Sequence, residues 1–402
     1  MADTDELASS GAPPSGTDDG ANDTESPADA TGDAVPCSPE SVRSTWIWAR
    51  DDIDDTIVKV DTDRAEIIAR YAGPTSRDDA KNGRIGVSAN GDAAYVYDGV
   101  AVVWRGDTKH CNESNDEPGT QTSAGPDDVL PWGADECVAW SATVDPDSEY
   151  RRAIAWEHGS WSQETCRFEG AALWTTGNTA PPSSDFKEGL LRVDGETGEV
   201  LLSVPTFVRT GFQSGLQVAG DGGVFFVSTP HDPGSMDFVA PGATEVMTIA
   251  YPYYLTPTVP DFTTLAIDRH GIPWHGRDAD FARLNQATDQ YESIQVLEEF
   301  QNMTGTAIDL SGLIWIADTP HGGAGPTTLW TLDPVALKLE QVATLNDAGG
   351  SLAIDQVGRV WTLGEAGLQR YDPVSGDIVA VTGVSARQGE VASATPLEVT
   401  RL

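Results

Sequence analysis

The chain has 402 residues, with 63 acidic against 24 basic side chains and a formal net charge of −39. A field of that sign repels phosphate backbones, which disfavours nucleic-acid partners; its plainest reading is solubility in a salty medium. No apolar run reaches about 18 residues, so no membrane-spanning helix is predicted, and 41 Gly with 25 Pro fit a fold of many short turns.

Residues 1–36 hold nine acidic residues and no Lys, Arg or aromatic. That composition cannot bury enough apolar surface to order itself, so a disordered acidic tether is expected. Met1 opens neither a basic n-region nor an apolar h-region. Tethers of this make sit between a membrane-anchored N-terminus and a folded outer domain. A processed lipoprotein is therefore expected, extracellular or periplasmic, touching the membrane only through that anchor. Residues 37–402 read as a single domain.

The first apolar runs are Thr45 to Trp48, Thr56 to Asp61 and Ala65 to Tyr71, followed by a second unit over 80–105. After Trp104 strand periodicity stops, and an irregular insertion is read over about 105–148. A loop of that length in a compact domain is functional or stapled. The four cysteines, Cys37, Cys111, Cys137 and Cys166, flank it. None lies in a CxxC or at zinc spacing with His, so two disulfides and an oxidising compartment are expected. Three connectivities are possible; the expected one is Cys111–Cys137 with Cys37–Cys166. Four buried free thiols are the alternative. Asn112, Ser114, Asp116 and Glu117 are spaced partly like a calcium loop, with Asn112 and Asp116 as candidate ligands, but Glu117-Pro118 stands where such a loop needs its Gly. A solvated acidic loop is the plainer reading.

Further units follow at 151–204, 211–250, 261–297, 304–345 and 349–383, the first being 42–71. Three carry one motif in one register: Ala266-Ile267-Asp268 with Gly271 and Trp274, Ala307-Ile308-Asp309 with Gly312 and Trp315, and Ala353-Ile354-Asp355 with Gly358 and Trp361. Looser copies surround Asn90-Gly91-Asp92 and Asp221-Gly222-Gly223. A second turn recurs at Asp61, Asp194, Asn285, Asp333 and Asp372. Four short strands repeated every 40–50 residues or so predict an all-β fold, a seven-bladed β-propeller, with six blades as the alternative. A sandwich or β-helix does not keep such a register. The repeat tryptophans are expected to pack between blades rather than stack on ligands.

Among six histidines, His231 and His321 follow second strands in matching Thr-Pro-His contexts, and His275 follows Trp274. If one mouth of the ring gathers them, His231, His275, Asp318 and His321 could form an acid–base or divalent-metal site for Mg or Ca. The plainer reading is that each His is a solvated turn residue. There is no GxSxG, HExxH or phosphate-cradling loop.

The opening Trp46-Ile-Trp-Ala with Ile57-Val-Lys-Val-Asp, and the three Ala-Ile-Asp-x-x-Gly-x-x-Trp copies, resemble secreted propellers related to streptogramin (virginiamycin B) lyase, and NHL-like propellers more broadly. The block Gln121 to Trp140 resembles one seen in uncharacterised, envelope-associated members. The resemblance covers roughly residues 42–383 and implies the propeller fold. For the lyase it implies a magnesium ion held by His and Glu at the centre of the ring, marked by Pro-His-Gly and Trp-x-x-Glu. Here Thr263-Thr264, Gly305-Thr306 and Gly350-Ser351 precede the inner strands, and Asp318 stands where Glu would be. The expectation is a monomeric, non-catalytic binding scaffold taking a small molecule, glycan or protein at a propeller face. The alternative is a metal-dependent lyase or hydrolase with its site in the central channel.

Overall fold

The computed structural model describes residues 37–39, 44–51, 54–74, 85–97, 99–114, 118–144, 153–178, 188–205, 215–228, 235–250, 264–277, 280–285, 287–288, 290–294, 300, 302–320, 325–346, 349–364, 367–384 and 390–394. The expected tether over 1–36 lies outside them, as do His231, His321 and Asp116.

Seven four-stranded antiparallel sheets form the blades. Blade 2 is Ile85–Val87, Ala93–Tyr97, Val100–Trp104 and Val138–Thr143. Blade 3 is Ile154–Trp156, Ala172–Asn178, Glu188–Asp194 and Val200–Pro205. Blade 4 is Gly215–Val218, Val224–Ser228, Ser235–Val239 and Met247–Ala250. Blade 5 is Thr264–Ile267, Pro273–Arg277, Asp280–Asn285 and Gln290–Ser293. Blade 6 is Met303–Ile308, Ile314–Asp318, Thr327–Asp333 and Lys338–Leu345. Blade 7 is Gly349–Ile354, Val360–Gly364, Gly367–Tyr371 and Ile378–Val381. The first strand of each meets the first strands of its neighbours around a central channel.

Blade 1 closes the ring. Its three outer strands, Trp46–Asp51, Thr56–Asp61 and Glu66–Ala72, come early in the chain. Its inner strand is Val391–Ala392, paired antiparallel with Trp48 and Ala49. Two residues leave no periodicity, so the sequence showed this blade with three strands. The Arg50 amide adds a hydrogen bond to the Glu390 carbonyl (3.0 Å). The insertion is also shorter than the sequence implied. Val138–Thr143 is the outer strand of blade 2, entered through a register shift at Val103/Trp104, so the irregular stretch ends at 137 rather than about 148.

The repeated Asp, Gly and Trp are three parts of one device. In blades 5, 6 and 7 the Oδ1 of Asp268, Asp309 and Asp355 accepts two amides of the turn that follows. The Oδ2 accepts the indole N–H of Trp274 (2.9 Å), Trp315 (2.8 Å) and Trp361 (3.0 Å). Gly271, Gly312 and Gly358 occupy the left-handed position of that turn, with φ of 74°, 86° and 89°. There a side chain would be strained. Each indole then packs against the next blade: Trp274 with Met303 and Ile314, Trp315 with Leu352, Trp361 with Ile47 and Val58. The three tryptophans therefore sit in equivalent, buried settings.

Blade 3 has a fourth copy that spacing hides. A hairpin, Ser160–Ser162 with Arg167–Glu169, is inserted in its first turn. Past it, the Trp174 indole donates to Glu157 Oε1 (2.7 Å), and Trp174 pairs with Ala155 as Trp274 pairs with Ala266. Burial alone would raise the Glu157 carboxyl, but hydrogen bonds from Arg192 and Trp174 outweigh it and hold the carboxyl below its usual range. In blade 1, Trp48 takes the position and donates instead to the Gly91 carbonyl of blade 2 (3.0 Å). Blades 2 and 4 keep the turn but lose both partners: Ser88 with Ala94, and Ala219 with Phe225. The second recurrent turn is likewise real. Asp61, Asp194, Asp333 and Asp372 each accept two turn amides on Oδ1, and Asn285 accepts one.

Burying an indole of about 200 Å² at about 25 cal/mol/Å² contributes on the order of 5 kcal/mol before entropic costs. The charged hydrogen bond adds about 1.5–3 kcal/mol. Packing thus supplies most of the energy and the carboxylate chooses the orientation. Asp309→Ala and Trp315→Phe should each lower stability by about 1–3 kcal/mol. Their double-mutant cycle, read by denaturant unfolding, should show coupling of about 1 kcal/mol or more; strictly additive losses would mean that the pair does not act as a unit.

Candidate functional site

A cavity of about 840 Å³ follows the channel, its wall built from the inner strands of all seven blades. Most of the wall is aliphatic or small: Ile85, Val87, Leu216, Leu265 and Leu352 are representative. Hydroxyls interrupt it on one side, from Thr264, Thr304, Thr306, Ser351 and Ser393. Several of these are spent on the framework. Thr304 donates to the Gly349 carbonyl (2.9 Å), Ser393 to the Ile354 carbonyl (2.6 Å), and Ser351 accepts the Val391 amide (2.6 Å). Two groups in the wall are not. Thr306 Oγ1 and Trp156 Nε1 are buried with no hydrogen-bond partner among the described residues.

The charged members of the lining stand at the ends of the strands, at His158, Asp221, Asp268, Arg269, His270 and Glu390. Asp268 is committed to its turn and to Trp274. Burial pushes the His158 imidazole below its ordinary value, against the opposing pull of Glu157.

Of the four residues predicted to converge on a metal or acid–base cluster, two are described. His275 pairs with Leu265 and Ala282, which belong to the cluster between blades 4 and 5. Strand alternation puts it opposite Trp274, which faces blade 6, and it is 2% exposed. Asp318 ends the second strand of blade 6, is also buried, and accepts the Asn302 amide on Oδ1 (2.7 Å). Among the described residues no three His, Cys, Asp or Glu are grouped to hold a metal.

The insertion is held by its own acids and one staple. Cys111–Cys137 and Cys37–Cys166 are both formed, with Cα–Cα distances of 4.4 and 5.8 Å, in the pairing that was expected. The buried Glu136 carboxylate accepts the Ser114 amide (2.7 Å) and the Gln121 amide (2.7 Å), and the Asn112 amide reaches the Glu136 carbonyl (3.0 Å). Asp135 accepts the amides of Ser123 and Cys137. Asn112 thus starts a loop gathered on a neighbouring carboxylate. The sequence reading missed Asp135 and Glu136; their one signal was an acidic pair directly before a disulfide cysteine. The same economy governs Lys59. Burial pushes its amine down to about 8, against the pull of Asp107 and Asp92, while the ammonium lies 4.3 Å over the Trp46 ring and donates to the Gly106 carbonyl. It joins blades 1 and 2.

No protein-family model matches the chain. No curated protein matches it. Solved structures do. A functionally unknown protein from Desulfotomaculum acetoxidans superposes with a TM-score of 0.55 at 9% identity, over 88% of this chain and 100% of that one. A streptogramin B lyase superposes with 0.50 at 13% identity, over 80% and 90%. A protein from Lactobacillus plantarum gives 0.50 at 8%, over 84% and 94%. At such identities the likeness shows a shared propeller fold.

Proposed function

We propose that this propeller is a binding scaffold whose ligand, a small molecule, enters the central channel. One observation carries the reading. A cavity of about 840 Å³ has a largely aliphatic wall, interrupted on one side by the hydroxyl residues Thr264, Thr304, Thr306, Ser351 and Ser393. A few polar groups set in an apolar wall are the usual make-up of a small-molecule site. The charged residues of the lining stand at strand ends, which supports recognition over acid–base work in the wall. A glycan or protein seated on a face remains compatible with the same ring. The two disulfides support an oxidising compartment, extracellular or periplasmic, and the acidic 1–36 segment supports a tether to the envelope.

The alternative is a metal-dependent lyase or hydrolase using Mg or Ca, with Asp318 and the histidines 231, 275 and 321. It draws on the shared fold with streptogramin B lyase, and fold alone is a weak guide to activity.

Thr306→Val should leave the melting temperature unchanged or slightly higher, since it removes a buried unpaired hydroxyl. It should also weaken any channel ligand found by a thermal-shift fragment screen; a screen whose hits ignore both Thr306→Val and a bulky Thr306→Trp would place binding elsewhere. Purified protein should carry no stoichiometric metal and melt alike with and without chelator. A retained metal, lost together with a measured activity in His321→Ala, would establish the enzymatic reading instead. Non-reducing peptide mapping should return the two bridges Cys37–Cys166 and Cys111–Cys137, whereas four alkylatable thiols in the native protein would refute the oxidising compartment.

A further inference from the structure

We propose that the seam between blades 4 and 5 binds a small hydrophobic cation, an aromatic or aliphatic ammonium compound. The inference rests on the reading of the channel as a binding cavity and narrows its ligand.

The seam differs from the others because of what the second strand of blade 4 lacks. In blades 1, 3, 5, 6 and 7 an indole fills the space toward the next blade. At blade 4 the pair is Ala219 and Phe225: a methyl where others have a carboxylate, and one ring where others have two. Blade 2 also lacks the pair, but Trp140 and Trp156 fill its seam with blade 3, and the Trp140 indole donates to the Gly195 carbonyl (2.9 Å). The seam of blade 4 is packed instead by Phe225, Phe238, Met236 and Tyr291, with no indole among the described residues. The channel cavity runs out into its seam, where it is lined by Phe225, Phe238, Met247, Ile249, Ile267 and Leu284. Phe225 and Phe238 lie with centroids 4.5 Å apart. Met247 is 54% exposed, a polarizable and unbranched side chain able to reshape around a guest.

The charge at the opening sets the class of guest. A Cβ added to Gly223 would lie 2.7 Å from the Phe238 ring and 3.1 Å from Asp221 Oδ1, so carboxylate and ring edge meet at one spot. Asp221 is exposed, its Oδ1 accepts the Gly223 amide (2.8 Å), and it makes no ion pair among the described residues. The one arginine of the lining points elsewhere. The Arg269 side chain lies against Gly312 of blade 6 and directs Nε to His270. A carboxylate beside aromatic rings favours an organic cation through Coulomb attraction and ring quadrupole together. A net charge of −39 draws cations to the whole surface and repels anions.

The test uses the full chain and three probes of one shape: 2-phenylethylammonium, neutral 2-phenylethanol and anionic 3-phenylpropionate. Calorimetric titration should show the ammonium binding about tenfold or more tighter than the alcohol, with the carboxylate weakest. Asp221→Asn, an exposed change, should erase the preference for the ammonium. Ala219→Asp with Phe225→Trp rebuilds the repeat pair and should fill the seam, abolishing binding while raising the melting temperature. Equal affinity for alcohol and ammonium, or indifference to Asp221→Asn, would overturn the cation assignment. A folded double variant that still binds would overturn the location. Failure of all three probes on the wild-type protein would overturn the inference, while the channel reading stands or falls separately on Thr306. Chemical conversion of a bound probe would overturn the scaffold reading and leave the seam as the site.

Discussion

A carboxylate shared between a backbone turn and an indole, in blades 5, 6 and 7, is the interaction on which this ring depends. A four-stranded sheet cannot cover both its faces, so each blade must lend a large apolar group to the next. An indole is large enough, but its N–H must find a partner when buried. Asp268, Asp309 and Asp355 supply that partner and brace the adjacent turn with the other oxygen. Orientation of the side chain and closure of the turn are thereby made one event, repeated in three successive blades.

This coupling explains how far the sequence could be read. The strict Asp, Gly and Trp spacing exposed blades 5 to 7 because there the carboxylate reaches its indole across one tight turn. Blade 3 obeys the same chemistry with Glu157 and Trp174, yet a hairpin between them destroyed the spacing while preserving the contact. The closing strand Val391–Ala392 was illegible for another reason: two residues pair along an edge with no room for alternation to show. The disulfide pairing was legible because Cys111 and Cys137 bracket a stretch with no strand pattern. What held that stretch together was not, since Asp135 and Glu136 act through backbone amides distant in the chain. Asp318 and His275 were picked out by type and position along their strands. The register decides which face each presents, and for His275 it is the packed seam between blades 4 and 5.

Departures from the repeat set the seams apart from one another. Where Asp and Trp are both present, the indole fills the seam. Where both are lost, one seam is refilled by Trp140 and Trp156, and the other is packed with Phe225, Phe238, Met236 and Tyr291, some of which also line the channel cavity. Paired loss is what the physics expects, because a lone buried indole or a lone buried carboxylate is worse than neither.

The shared blade has a consequence for how the protein comes into being. Trp46–Asp51 emerges early in synthesis, and its inner edge stays bare until the chain has been made as far as Val391. Six sheets can assemble in order behind the ribosome, but the circle is completed by the union of two distant segments. An unfinished ring presents a sticky β-edge to its surroundings. A chain exported unfolded would meet that hazard only at its destination, where the final clasp and the formation of the Cys37–Cys166 bridge can proceed together.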